Sequence, residues 1–139
     1  MLSQMGKVNI LLLEDDDFNI QLIKTLLNKI SPKINVISAN KGEKALNLLE
    51  LGEDNIDLIL LDLHLPGMGG KEVLEYVRRN PKYSTLPVVI ISVDGFDELE
   101  LRKKGADDFI LKPFNIDDFA KKLSVHLVME RRGTNGQKD

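Results

Sequence analysis

Five side chains of this 139-residue chain could share one piece of chemistry: Glu14, Asp15, Asp62, Ser92 and Lys112. Each follows a short apolar run. Ile10–Leu13 precedes Glu14 and Asp15, Leu58–Leu61 precedes Asp62, Val88–Ile91 precedes Ser92, and Phe109–Leu111 precedes Lys112. Carboxylates gathered in one place repel one another unless something neutralises them. A hard divalent cation does so: Mg²⁺ takes oxygen ligands octahedrally, typically one or two carboxylates with waters and phosphate oxygens. Glu14, Asp15 and Asp62 suit that demand. One carboxylate can then attack a phosphoryl group to give an aspartyl phosphate. Phosphoryl transfer requires mainly positioning and neutralisation of the equatorial oxygens, for which Mg²⁺, the Lys112 ammonium and the Ser92 hydroxyl are the right groups.

Each residue alone has a plainer explanation. The acids Glu14 to Asp17 precede a helical pattern, where acids commonly cap a helix and complement its dipole. Asp62 alone is a turn-forming residue, Ser92 a strand end and Lys112 a solvated lysine. The run Gly67-Met68-Gly69-Gly70 reads better as a flexible turn than as a phosphate cradle. His64 and His126 are isolated and form no histidine-rich metal site. Convergence favours the shared site, and convergence depends on the elements that carry these residues.

Five apolar runs read as strands buried on both faces: Val8–Leu13, Ile34–Ser38, Asp57–Leu61, Pro87–Ser92 and Asp107–Leu111. Helical spacing fills the gaps. The first helix follows Asp16 and Asp17, buries Ile20, Ile23, Leu26, Leu27 and Ile30, and stops at Ser31-Pro32. The second spans Lys41–Leu51 before Gly52, and the third runs from Gly70 to just before Pro81. The fourth covers Phe96–Lys104, with Gly105 after it. The fifth covers Ile116–Val128 with Asn115 as its cap. Strands alternating with helices predict an α/β fold: a flavodoxin-like, doubly wound, five-stranded parallel sheet of order 2-1-3-4-5 with five helices. Ligands of such sheets bind beyond the carboxyl ends of the strands, where the strand order reverses. The first, third, fourth and fifth strands would lie side by side and deliver the five residues to one place.

Composition sets the outer bounds. A 42% hydrophobic content supports one core, which must be aliphatic because there is no Trp and little aromatic content. A net charge of −3, with acids and bases mixed, gives no basic stripe for direct nucleic-acid binding. With no cysteine, disulfides, thiolate metal sites and cysteine nucleophiles are excluded. No apolar run approaches the roughly 20 residues of a membrane helix, and Met1–Lys7 lacks the apolar core of a signal peptide. The expectation is a soluble, cytoplasmic protein without membrane contact. One domain is expected over residues 1–128, followed at 129–139 by a polar tail or linker start, with no second domain.

These residues carry a family resemblance. Ile10-Leu-Leu-Leu-Glu-Asp-Asp, Asp57-Leu-Ile-Leu-Leu-Asp-Leu-His-Leu-Pro-Gly-Met-Gly-Gly, Leu86-Pro-Val-Val-Ile-Ile-Ser and Gly105-Ala-Asp-Asp-Phe-Ile-Leu-Lys-Pro-Phe occur in order. Together they resemble the receiver domain of two-component response regulators, over about Val8 to Leu127. The resemblance implies that Asp62 is the phosphoacceptor, that Asp15 binds Mg²⁺ directly and Glu14 through water, and that the His64 backbone carbonyl adds a ligand. Ser92 would contact the phosphoryl group, and Lys112 would pair with one of its oxygens. The Lys112–Pro113 bond would be cis. His64 would influence dephosphorylation, and Phe109 stands at the family's switch aromatic position. The donor would be a histidine kinase or histidine phosphotransfer protein. On phosphorylation, Ser92 would move towards the phosphate, Phe109 would turn inward, and the face of the fourth helix, fifth strand and fifth helix would change its preference for a downstream protein, or for a second copy in a homodimer. The chain would thus be a signalling switch with intrinsic autophosphorylation and autodephosphorylation rather than an enzyme. Phe109 lacks the hydroxyl of the Tyr found in many members, so a switch relying on that hydroxyl does not carry over.

Three other readings fit less well. A haloacid-dehalogenase-type phosphatase needs a second Asp two residues after its nucleophile, where this chain has His64. An FMN carrier would want a Ser/Thr/Gly-rich loop after the first strand, where acids would repel the phosphate. A receiver that works without phosphorylation would not need the complete five-residue set.

Overall fold

The computed structural model describes residues 6–52, 54–65, 67–93 and 96–138, with side chains described as far as residue 127. Its strands are β1 (Val8–Leu13), β2 (Ile34–Ala39), β3 (Leu58–Asp62), β4 (Val88–Ser92) and β5 (Asp108–Leu111). Its helices are α1 (Asp17–Ile30), α2 (Gly42–Leu51), α3 (Gly70–Arg79), α4 (Glu98–Lys103) and α5 (Ile116–Lys138). The strands form one parallel sheet in the order β2-β1-β3-β4-β5, as the alternating pattern predicts. A short 3₁₀ turn at Pro81–Tyr83, absent from the sequence reading, leads into β4. Asn80 caps it by accepting from the Lys82 N–H at 3.0 Å.

The predicted caps act locally. Asp16 precedes α1 in extended conformation, and its carboxylate accepts the Asn19 N–H at 2.9 Å. Asn115 accepts the Asp118 N–H at the start of α5. Asp97, not singled out beforehand, caps α4 by accepting from the Glu100 N–H, so that helix begins two residues later than expected. The fifth helix departs further, running to Lys138 rather than stopping at Val128. Loss of apolar periodicity marks where a helix stops packing. Its backbone hydrogen bonds are internal and can continue wherever no proline interrupts them. Asp139, the last residue of the expected tail, lies outside the described residues.

Successive residues of a strand face opposite sides of the sheet. On one side, Ile10, Leu12, Leu58, Leu60, Ile91 and Ile110 pack against α1 and α5 through Ile23, Leu27, Phe119 and Leu123. On the other, Leu11, Leu13, Ile59, Leu61, Ile90 and Phe109 pack against α2, α3 and α4 through Ala45, Leu74, Val77 and Leu101. Burying each such Leu or Ile side chain contributes about 1.5–3 kcal/mol. Because both faces are covered, β3 and β4 are continuous apolar runs whose polar residues, Asp62 and Ser92, stand at their ends, whereas Asn9 lies within β1 and Asn35 and Ser38 within the edge strand β2.

Candidate functional site

Strand parity decides which polar ends meet. Glu14 continues the series Ile10, Leu12; Asp62 continues Leu58, Leu60; Lys112 continues Ile110. All three project towards the α1–α5 side. Register makes Glu14 and Asp62 level, since Leu13 is paired with Leu61. Lys112 lies two residues further along, because Asp62 pairs with Ile91 and Ile91 with Ile110. Its long stem reaches back between the acids: Nζ donates to Asp62 Oδ2 at 2.8 Å and to Glu14 Oε1 at 2.9 Å. The Lys112 N–H also donates to the Ser92 carbonyl at 2.9 Å. The Lys112–Pro113 bond is cis, as expected.

Both carboxylates are buried, and each has a second donor. Asp62 Oδ1 accepts the His64 N–H at 2.9 Å, and Glu14 Oε2 accepts the Asp16 N–H at 3.1 Å. Burial pulls the Lys112 ammonium towards losing its proton. The hydrogen bonds to Asp62 and Glu14, with their charges, outweigh burial and hold it above the ordinary lysine value. The lysine is therefore a fixed positive charge in direct contact with Asp62.

Ser92 has the opposite parity. It continues Val88 and Ile90, so it starts from the α2–α3–α4 side of the sheet, which Phe109 also occupies. Its hydroxyl is buried and has no hydrogen-bond partner. An unsatisfied buried hydroxyl costs about 1–3 kcal/mol, and such a group is a common mark of a missing ligand. Asp15, also of opposite parity to Glu14, is exposed. Among the described residues, no three acidic or histidine side chains converge as a ready-made cation cage. Glu14, Asp62 and Lys112 are thus brought together, Ser92 borders them from the other face, and Asp15 and the His64 side chain lie exposed at the rim.

The loop after β3 is fixed from behind. A Cβ on Gly70 would lie 2.7 Å from the Asp62 carbonyl oxygen, so only glycine lets the start of α3 pack against the backbone of Asp62. The Gly69 N–H donates to Glu72 Oε1 at 3.0 Å, closing that turn. The sequence shows this stretch only as a flexible turn. Glycine density signals a close approach, but not its target.

The Phe109 ring is buried and stacks on Phe96 with centroids 5.4 Å apart. A ring without a hydroxyl has no polar end to keep in water, so burial is favoured. The Arg102 guanidinium carbon lies 4.9 Å from the same ring centroid. Neither Phe96 nor Arg102 was singled out in the sequence; both read there as ordinary helix residues.

The model of the response regulator receiver domain family matches residues 10–124. The cell cycle transcriptional regulator CtrA of Caulobacter vibrioides is 36% identical over 134 residues, covering 94% of this chain and 54% of that protein. The solved receiver domain of Francisella response regulator 1452 has a TM-score of 0.75 at 29% identity, covering 88% of this chain and 98% of that one. The receiver domain of sensor histidine kinase PA1611 from Pseudomonas aeruginosa PAO1, solved with magnesium coordinated in its active-site cleft, shares the fold. It has a TM-score of 0.75 and 22% identity over 88% of this chain and 98% of that one. The chain belongs to the response regulator receiver domain family of two-component systems. It spans about half the length of CtrA and less of some other curated relatives, down to 18%.

Proposed function

We propose that the chain is a phosphorylation-driven switch whose acceptor is Asp62. The observation that carries this reading is the environment of that carboxylate: buried at a strand end, level with Glu14, and bonded to the Lys112 ammonium at 2.8 Å. In the transfer step, an Asp62 carboxylate oxygen forms a bond to phosphorus. The bond from phosphorus to the donor's phosphohistidine nitrogen breaks, and its electron pair returns to the imidazole. Lys112 then balances charge on a phosphoryl oxygen, and the unpartnered Ser92 hydroxyl donates to another.

The donor set fits Mg²⁺. Glu14, Asp15, Asp62 and the His64 carbonyl offer only hard oxygen ligands, and three carboxylates against one ammonium leave two negative charges for a dication to offset. Bound there, Mg²⁺ would neutralise charge on the phosphoryl oxygens and orient them.

The donor is a histidine kinase or histidine phosphotransfer protein, and the setting is the cytoplasm, where ATP-dependent kinases work. Ser92 is drawn towards the phosphoryl group, and the space it leaves lies on the side of the sheet that holds Phe109 and α4. The face formed by α4, β5 and α5 then changes its affinity for a downstream protein or a second copy of the chain. His64 sets the lifetime of the phosphate, and His64→Ala should change it. The functional unit is residues 1–128, with 129–139 as a connecting tail.

The test is incubation with acetyl phosphate, with Mg²⁺ or with excess EDTA, followed by intact mass measurement. A gain of one phosphoryl group only with Mg²⁺ supports the reading. No gain under either condition, or a gain indifferent to EDTA, rejects it.

A further inference from the structure

We propose that Arg102 is the positioning residue that ties the Phe109 ring to α4, taking the place of the hydroxyl that this aromatic lacks. The proposal rests on the switch reading above and names the contact that would carry the signal outward. Ser92 and Phe109 share one side of the sheet: Ile90 pairs with Phe109, and Ser92 is the next residue of that parity on β4. Movement of the Ser92 side chain towards Asp62 therefore alters packing one step from the ring. The backbone of Phe109 is fixed, since its N–H donates to Asp108 Oδ1 at 2.8 Å and its carbonyl accepts from Lys122 Nζ at 2.6 Å. The ring is held by packing alone, buried against Phe96 and beneath Arg102. A cleft of about 200 Å³, lined among others by Phe96, Arg102, Phe109 and Lys122, lies beside it.

Arg102 closes that arrangement. Its guanidinium lies over the ring, donates to the Asp107 carbonyl at 3.1 Å, and reaches Glu98 at 3.2 Å and Asp108 at 3.8 Å. One side chain of α4 thus contacts the aromatic, the strand that carries it and the preceding turn of its own helix. The rest of α4 is lightly held. Leu101 is its one buried residue, Glu100 reaches α3 through an exposed ion pair with Lys71, and Lys104 just after the helix reaches it through a partly exposed pair with Glu75. Such pairs are worth little and are screened by salt. Arg102 adds what those pairs do not, a cation over the Phe109 ring that is bonded also to the Asp107 carbonyl just before β5. When the ring follows Ser92 into the space that side chain leaves, it moves away from Arg102, the cation–π contact breaks and α4 loses that anchor.

The experiment compares wild type, Arg102→Met and Arg102→Lys as full-length chains. Two readouts are followed before and after acetyl phosphate with Mg²⁺: ring signals of isotope-labelled phenylalanine by NMR, and amide exchange of α4, with β1 and β3 amides as the control for global stability. Met keeps the apolar stem and removes the cation; Lys restores a cation. In Arg102→Met without phosphodonor, α4 should exchange roughly threefold to tenfold faster than wild type, with β1 and β3 unchanged. On phosphorylation the Phe109 ring signals should still shift, but α4 exchange should change no further, while Arg102→Lys should recover part of the wild-type response. Wild-type α4 exchange in unphosphorylated Arg102→Met, or a full α4 response after phosphorylation of that variant, would overturn the proposal. Absence of phosphorylation in the wild type rejects the switch reading instead; the comparison without phosphodonor still decides whether Arg102 anchors α4.

Discussion

The two ends of the sheet use buried polar groups in opposite ways. At the end where the strands start, every guanidinium nitrogen of Arg78 of α3 has an acceptor. Its Nε donates to the Gly105 carbonyl at 2.9 Å, Nη1 to the Leu86 carbonyl at 2.7 Å, and Nη2 to Asp107 at 2.9 Å. Asp107 in turn accepts the Val88 N–H at 2.8 Å. Gly105 is at φ +113°, where other residues are strained, and a Cβ there would collide with the Arg78 side chain. At the other end, Glu14 and Asp62 share one ammonium, and Ser92 holds a buried hydroxyl with no partner. The first arrangement closes its hydrogen bonds and joins the α3–β4 and α4–β5 loops. The second leaves charge and hydrogen-bonding capacity uncommitted, which costs stability and suits a ligand that arrives later.

The largest effect should come from breaking the closed end. Arg78→Ala leaves the Gly105 and Leu86 carbonyls and the Asp107 carboxylate short of a donor, and should lower unfolding free energy by about 3 kcal/mol in urea titrations. Under native conditions the variant should still accept a phosphoryl group. Loss of acceptance with little loss of stability would mean that the two ends are not separable.

Next comes the glycine behind Asp62. Gly70→Ala places a methyl group against the Asp62 carbonyl, and overpacking of this kind costs about 2 kcal/mol. Because the displaced atom belongs to the acceptor residue, phosphorylation should slow beyond what the stability change explains. A variant phosphorylated at the wild-type rate would show that the contact positions nothing.

Much of this contrast was legible beforehand, but unevenly. Asp62, Ser92 and Lys112 could be read because each ends an apolar run, and a buried strand puts its first polar side chain at the mouth of the sheet. That Ser92 starts from the other face than Asp62 follows from two-residue alternation, once the pairing is known. Arg78 could not be read. In sequence it is a basic residue in the last turn of a helix, indistinguishable from Arg79 beside it. Only the fold brings the α3–β4 and α4–β5 loops, with their carbonyls and the Asp107 carboxylate, to one of them. The extent of α5 was misjudged because apolar periodicity reports packing rather than backbone hydrogen bonding.

A smaller effect sharpens the open end. Ser92→Ala removes an unpartnered buried hydroxyl, so stability should hold or rise by up to about 1 kcal/mol. Phosphoryl acceptance should nevertheless fall, on the order of tenfold to a hundredfold, in the initial rate of mass gain. A clear loss of stability would mean that the hydroxyl is satisfied in solution and is not poised.

The smallest effect lies between the ends. Asp108 is pushed up by burial, but the His126 hydrogen bond, the Phe109 N–H and the charges of Lys122 and His126 win, and its carboxyl lies below the usual range. A depressed carboxyl contributes stability above its unfolded value, and that contribution is lost as pH falls through the folded value. Wild type should therefore lose stability relative to Asp108→Asn on acidification from about pH 5 to pH 2, by less than about 1 kcal/mol because the pair is partly exposed. Parallel urea midpoints across that range would show the pair to be energetically silent.

The central claim is that Asp62, among the acids of this end, is the one that takes the phosphoryl group. The most direct measurement is fragmentation mass spectrometry of the acetyl-phosphate-treated chain, beside Asp62→Ala treated identically. One phosphoryl group is expected on the peptide containing Asp62 and none on the variant. A phosphoryl group on Glu14 or Asp15, or a gain that survives Asp62→Ala, would contradict it.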